Sequence, residues 1–395
     1  MSTLHGLPEK VIFCKKCLMS NQRPSSSPEF NKKNSKISTA GFSNDGICDA
    51  CNFAEEKKQI DWDFRFKELV NLCDKYRKNN GEYDVIVPGS GGKDSIFVAH
   101  FLKHKLNMNP LTVTWAPHCY TDIGMINMRN WLQSGFANIT HTPNSDVHRM
   151  LTKNAFLNLA NPFQPFIIGQ RNIAPKIAME KNIKFIMYGE NQAEAHNNKE
   201  ENYTSLMNPD HFTSSNNDIF LGGKSLNDYL LDGFKINQFK DYMPINKENW
   251  NKFRGEVHYM SYFINWSPNN NYYYAKENCN FQQNPNGRSE GTYTRYSSLD
   301  DKLDGQHYFT MFIKFGQGRA MNDANREIRD GFISREEGLT LVKKYDGEFP
   351  KEHFQWTLEY LGISEDEYWN TIDNSRSPHL WQKKGGEWNL IHSTK

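Results

Sequence analysis

The stretch YDVIVPGSGGKDSIFVAHFL, residues 83–102, leaves the chain few folds to choose from. Val85, Ile86 and Val87 make a short apolar run bounded by a turn signal, the pattern of a buried strand. Beyond the turn, Ile96, Phe97, Ala99 and Phe101 recur at helical spacing. Strand, glycine-rich turn and helix in succession bring backbone N–H groups and a helix N-terminus onto one point, which suits an anion. Spacing excludes two common loops of this kind. A Walker-type loop needs glycine where Val87 stands and Ser or Thr where Asp94 stands; a dinucleotide fingerprint needs glycine at Asp94. The glycines allow close backbone approach, Ser90 and Ser95 add hydroxyls, Lys93 adds charge, and Asp94 can recruit Mg²⁺.

Seven cysteines bring a second constraint. Cys14/Cys17 and Cys48/Cys51 form two C-x-x-C turns separated by a polar, Ser- and Asn-rich loop, the pattern of a tetrahedral four-cysteine zinc site. Such a site is closed, so its role is folding and not catalysis. Net charge is +1, with 47 basic and 46 acidic residues, which argues against a nucleic-acid-coating protein. No apolar run approaches the ~18 residues of a membrane span. MSTLHGLPEKVIFC lacks a signal-peptide apolar region, so the expected location is the cytoplasm.

The chain divides into a four-cysteine zinc-binding segment (1–60), an α/β domain (61–240) and a mostly helical domain (241–395). A helix is expected over 61–78. Strands follow at 84–87, 111–115, 138–141 and 184–188, with helices at about 95–106, 121–134, 145–159 and 169–181, the alternation of a parallel sheet. Ligands of such sheets sit beyond the carboxyl ends of the strands. There lie the loop, Thr114 to Cys119, and Gly189 to Glu194. Trp115 is either part of a base pocket or core; His118 and Cys119 are structural or catalytic. Glu190 and Glu194 can bind Mg²⁺ or hold a proton, Asn191 and Glu194 are also substrate candidates, and Arg171 lies near a helix start where phosphate contacts are natural. Residues 195–240 read as an extended connection or lid. Residues 250–310 are dense in aromatics, and Arg288, Tyr293 and Arg295 are substrate candidates there. Lys314 and Arg319 flank Gly316 and Gly318, a basic patch suited to pyrophosphate. Ser334 to Glu337 has the form of a capping box.

Ser-Gly-Gly-Lys-Asp-Ser resembles the loop of the PP-loop, or N-type, ATP pyrophosphatases, whose fold is the adenine nucleotide α-hydrolase-like α/β sheet. That resemblance implies that Ser90, Gly91, Gly92, Lys93, Asp94 and Ser95 hold the β- and γ-phosphates of ATP, with Trp115 and Gly189 near the nucleotide. The CKKC…CDAC pair, TVTWAPHCYTDIG, NPFQPFIIGQ, YGENQAE, EGTYTRYSSLDDKLD, FIKFGQGRAMNDANREIRDG and RSPHLW extend it. Together these motifs resemble the N-acetyl sugar amidotransferases of bacterial surface-glycan synthesis, of the WbpG and PseA type. A departure occurs at Ala195-His196-Asn197, where relatives tend to carry Tyr-Gly, which bears on the substrate-facing shape of that loop.

The resemblance implies conversion of the acetamido group of a nucleotide-activated sugar to an acetamidino group. The amide oxygen attacks the α-phosphate of ATP, pyrophosphate leaves, and ammonia displaces AMP from the imidate. Lys93, Asp94 and Glu190 are the expected catalytic residues, and Mg²⁺ and structural Zn²⁺ the expected ions. Neither Cys119 nor Cys279 sits in a glutaminase-like turn. A separate glutaminase, resembling the histidine-pathway (HisH-like) subunit, is therefore the expected ammonia source. The alternative is a PP-loop tRNA thiolation enzyme, which needs a further cysteine set and a basic RNA face.

Overall fold

The computed structural model describes residues 3–24, 38–191, 199–215 and 219–394. Helices α1 (Asp49–Lys57) and α2 (Trp62–Tyr76) lead into β1 (Val85–Pro88), α3 (Lys93–His104), β2 (Pro110–Trp115), α4 (Asp122–Gln133) and β3 (Ala137–His141). Then come α5 (Ser145–Leu159), α6 (Gln164–Lys181), β4 (Phe185–Tyr188) and, much later, β5 (Glu256–Tyr259). The five strands form one parallel sheet in the order β3-β2-β1-β4-β5. The chain builds outward from β1 to β3 and then returns to the other flank of β1. Strand order thus reverses between β1 and β4, and the crevice beyond their carboxyl ends is where open α/β sheets take ligands.

Strand β1 shows why the sheet is buried on both faces. Ile86 enters the core shared with α5 and α6, whereas Val85 and Val87 enter the one built on α3. Alternate residues feed two apolar cores, so the strand is apolar throughout. Each such side chain contributes roughly 1.5–3 kcal/mol on leaving water.

The four expected strands form where the pattern placed them, within a residue or so at each end. Helix α6 begins earlier, at Gln164, because Pro165 sits in its first turn, where a missing N–H costs nothing. The sheet also runs past residue 240: β5, with Glu256 and His258 among its four residues, carries little apolar signal.

The stretch read as a connection or lid is packed where described. Phe212, Leu221, Tyr229, Phe239 and Tyr242 are buried and complete the core around α6. Phe220–Leu221 pairs with Lys224–Ser225 through Gly222 and Gly223, both at positive φ. Helices α7 (Leu226–Leu231) and α8 (Lys247–Phe253) follow, and α9 (Pro268–Cys279) packs Tyr272 and Ala275 into the α3 core.

The C-terminal part holds α10 (Asp304–Phe315), α11 (Arg319–Asp330), α12 (Arg335–Tyr345), α13 (Phe354–Leu361) and α14 (Glu365–Asn374). A closing hairpin, β6 (Trp381–Lys384) and β7 (Glu387–Leu390), adds strands that the helical expectation omitted. The capping box at Ser334 forms with both its bonds: Ser334 Oγ accepts from the Glu337 N–H, and Glu337 Oε2 from the Ser334 N–H. Phe309, Ile313, Leu358, Tyr368 and Trp381 share a core with Phe156 of α5, which docks these helices onto the sheet. Among the described residues, no helix is long and apolar enough to cross a membrane.

Candidate functional site

The loop after β1 stands at the switch point. Gly91 has φ +84°, and a Cβ on it would lie 2.8 Å from the Met128 Cα, so only glycine fits. Gly92 caps α3 in an extended conformation without any side-chain hydrogen bond to the helix end, so the first-turn N–H groups face no capping side chain. Ser95 Oγ donates to the Gly92 carbonyl at 2.9 Å and fixes the turn.

Carboxylates hold the loop's donors. The Lys93 ammonium, buried at the base of the loop, pairs with Asp94 and lies 5.2 Å from the Tyr296 ring centroid. Asp94 also accepts from Asn271 Nδ2 at 2.9 Å. Ser90 Oγ donates to Asp300 Oδ2 at 2.9 Å.

Asp300 belongs to a wall that only the fold brings to the loop. It lies between Tyr296, whose ring stacks on Tyr272 at 4.9 Å, and the start of α10. Its backbone approaches α4 so closely that a Cβ on Gly124 would lie 2.6 Å from the Asp300 Cα. Neighbouring Asp301 is pushed well above the usual carboxylate range by burial, although it accepts from the His118 and Leu303 N–H groups at 2.6 and 2.8 Å. Burial likewise raises Asp304 to about 6.

Arg319 donates to Asp323, to the Tyr308 hydroxyl and to Ser297. Burial disfavours its charge, but Asp323 and Tyr308 more than restore it. Asp304, His307, Tyr308 and Arg319 are all desolvated by surrounding protein yet only half-buried. They cluster beside Asp300 and so stand on the C-terminal side of the loop crevice.

The remaining sequence candidates are distributed unevenly. Glu190, beyond β4, pairs with Arg326 of α11 at 2.7 Å, so it reaches the C-terminal wall. Gly189 gives room to Trp266, which would stand 2.8 Å from a Cβ there. Asn191 turns away: its N–H donates to Ser261 Oγ and its amide to the Glu201 carbonyl. Glu194 and the Ala195-His196-Asn197 departure lie outside the described residues. Arg171 sits near Tyr188 and Tyr259.

Trp115 is in the core at 2 % exposure, stacked on His141 and covering Gly169. Its ring therefore offers no open face to a base. Lys314 donates to the Leu159 carbonyl at the end of α5. Arg288 makes a bidentate pair with Glu348, Tyr293 donates to Glu327, and Arg295 is exposed. Of these candidates Arg319 is on the cleft, and Tyr293 lies beside it, near Asp323 and Tyr296. Asp300, Asp304 and Tyr296 were not singled out by residue type, although a trio of aspartates in LDDKLD at a helix start was the available signal.

The two C-x-x-C turns close on one point. Cys14 and Cys51 Sγ are 3.8 Å apart, Cys17 and Cys48 Sγ 3.7 Å, and all four lie within 4.8 Å of one another. Zn–S bonds of about 2.3 Å at tetrahedral angles give edges of nearly that length. The Lys16 and Cys48 N–H groups point at Cys14 Sγ. Burial lowers the charge preference of Arg329, but Cys17, Cys51 and Cys48 outweigh it and hold the guanidinium charged. The cluster suits a structural metal such as zinc. It is tied to α11 by the Leu18 N–H, which donates to Asn325 Oδ1 at 2.8 Å.

These features define a class: a doubly wound α/β protein with an anion-type loop at its switch point, a four-cysteine centre, and a helical C-terminal region that walls the crevice. Residues 290–395 match the family model described as LPS biosynthesis protein WbpG-like, C-terminal domain. That match covers most of the cleft wall and points to lipopolysaccharide biosynthesis. No curated protein matches the chain.

Proposed function

We propose that the protein is an ATP-dependent amidotransferase of surface-glycan biosynthesis, built on a PP-loop pyrophosphatase domain. It converts the acetamido group of a nucleotide-activated sugar to an acetamidino group. The observation that carries the reading is the position of Ser-Gly-Gly-Lys-Asp-Ser at the β1/β4 switch point, facing a wall that matches a WbpG-like domain.

The chemistry needs what the loop offers. An amide oxygen leaves poorly, so it first attacks the α-phosphate of ATP; the P–O bond to pyrophosphate breaks and an O-adenylated imidate forms. Backbone N–H groups at the start of α3, Ser90 and Lys93 oppose the charge that grows on pyrophosphate. Each of these donors now rests on a carboxylate or on solvent, and phosphate oxygens offer equivalent acceptors. Ammonia then adds to the imidate carbon, loses a proton, and AMP departs. Mg²⁺, when bound, neutralises phosphate charge; Asp94 is suited to hold it, since this ion usually takes one or two carboxylates plus phosphates. Ammonia is expected from a partner glutaminase. In this reading Glu190, which pairs with Arg326 beyond β4, acts on the nucleophile.

Cys73 and Cys279 lie in the α3 core, which favours this reading over tRNA thiolation. The test is incubation with ATP, ammonium and a panel of UDP- and CMP-linked N-acetyl sugars. Sugar-dependent release of AMP and pyrophosphate is expected, with a product lighter by the difference between O and NH. Release dependent on tRNA, or none at all, would overturn the proposal.

A further inference from the structure

The first turn of α10 places Asp304, His307 and Tyr308 on one stripe, at the i, i+3, i+4 spacing that shares a helix face. The opposite residues, Gln306, Phe309 and Thr310, are buried in the C-terminal core. The stripe is half-buried, and its groups meet Phe163 at the start of α6 and Arg319 of α11.

Its chemistry is specific. His307 is driven down to about 3 by burial and by Lys314, Arg23 and Arg319, and is therefore neutral. Its Nδ1 is sealed without a partner and its ring stacks on Phe163 at 4.9 Å. Nε2 makes no hydrogen bond among the described residues and, unlike Nδ1, keeps some solvent exposure. Asp304 lies next to it on the same face, near Ser298 and Arg319. The Arg319 guanidinium is already engaged by Asp323, Tyr308 and Ser297. This wall therefore presents acceptors backed by an aromatic ring, beside a cation that already has its partners. Such a surface suits neighbouring hydroxyl groups, whereas the donors that suit phosphate are across the cleft at Ser90 and Lys93.

We infer that the Asp304–His307 stripe binds the pyranose of the sugar substrate through its hydroxyls, while the loop takes ATP. The inference rests on the amidotransferase reading and adds to it the residues that hold the sugar. The two sites adjoin, because Asp300, which accepts from Ser90, immediately precedes the Asp301–Asp304 turn.

The test uses the full chain and the same panel of UDP- and CMP-linked N-acetyl sugars, with saturation-transfer NMR reading the pyranose protons and calorimetry reading affinity. For the sugar that binds best, Asp304→Asn and His307→Gln should each weaken binding at least tenfold and reduce transfer to the pyranose protons. ATP affinity should stay within twofold, which also reports that each variant is folded. Unchanged sugar affinity in both variants, or no panel member bound by the wild type, overturns the inference. Sugar binding that follows these variants without any AMP release would leave the stripe standing and sink the amidotransferase reading instead.

Discussion

The four-cysteine centre and the loop cleft both meet helix α11, and they differ in what they leave open. Around the cysteines every sulfur lies within 4.8 Å of the others and is buried. Leu18 and Arg329 tie that unit to α11. Around the cleft, α11 contributes Arg319 and Arg326 to partners on other elements, and desolvated carboxyls remain at Asp301 and Asp304. One cluster suits a metal that would lower the folded state's free energy; the other keeps buried carboxyls raised above their ordinary range. Variants in the two regions should therefore separate stability from function.

The largest effect is expected at the cysteines. Cys48→Ser should lose the metal and several kcal/mol of stability, because in small metal modules binding energy is folding energy. Metal content and thermal unfolding report it. A variant that keeps its metal and its unfolding temperature would break the contrast.

Next comes the loop. Lys93→Met should lower ATP-dependent pyrophosphate release by roughly 10²–10³-fold, the scale seen on removing a preorganised donor, with little change in unfolding temperature. Equal losses of stability and rate would instead mark Lys93 as a packing residue.

The Glu190–Arg326 pair stands between the two regimes. Its side chains are 16 % and 23 % exposed, so removing one partner leaves a poorly solvated charge. Arg326→Met should cost about 3 kcal/mol, and Glu190→Gln combined with it should cost less than the sum of the two. A double-mutant cycle in urea measures the coupling; additivity would show that α11 and β4 are not joined there.

How much of this was legible follows from where the information sits in the chain. Val85 to Ser95 states strand, turn and helix within eleven neighbouring positions, and the two C-x-x-C turns carry their own geometry. The cleft wall has no such local statement. Asp300 reaches Ser90 across 210 positions of sequence, and Arg326 reaches Glu190 across 136. Residue type says less where a cation or aromatic has a structural partner: Lys314 on the Leu159 carbonyl, Arg288 on Glu348, Trp115 over Gly169. Strand β5 was hidden because two of its four residues are Glu and His, and Lys75 pairs with that same Glu256.

The smallest effect is the sharpest test of the contrast, because two carboxyls with the same shift should respond differently to amidation at low pH. Burial raises both Asp304 and Asp346 to about 6. An unfolded aspartate gives up its proton near 3.8, so between that value and 6 the folded state binds more protons than the unfolded one. Stability therefore falls as pH climbs through this window and the penalty stays above it. Asp346 also caps α11, accepting from the Gly318 and Met321 N–H groups at 2.8 and 3.0 Å; Asp346→Asn should lose about 1 kcal/mol near pH 4, the usual cost of a cap, and less above pH 6, where the burial penalty goes with the charge. Asp304 has no such duty. Asp304→Asn should gain about 1 kcal/mol above pH 6, a figure discounted for its partial exposure, and the gain should vanish below about pH 4. Urea midpoints at about pH 4 and pH 8 decide it: a loss at pH 4 in Asp304→Asn, like the one expected for Asp346→Asn, would place that residue with the scaffold and not with the cleft.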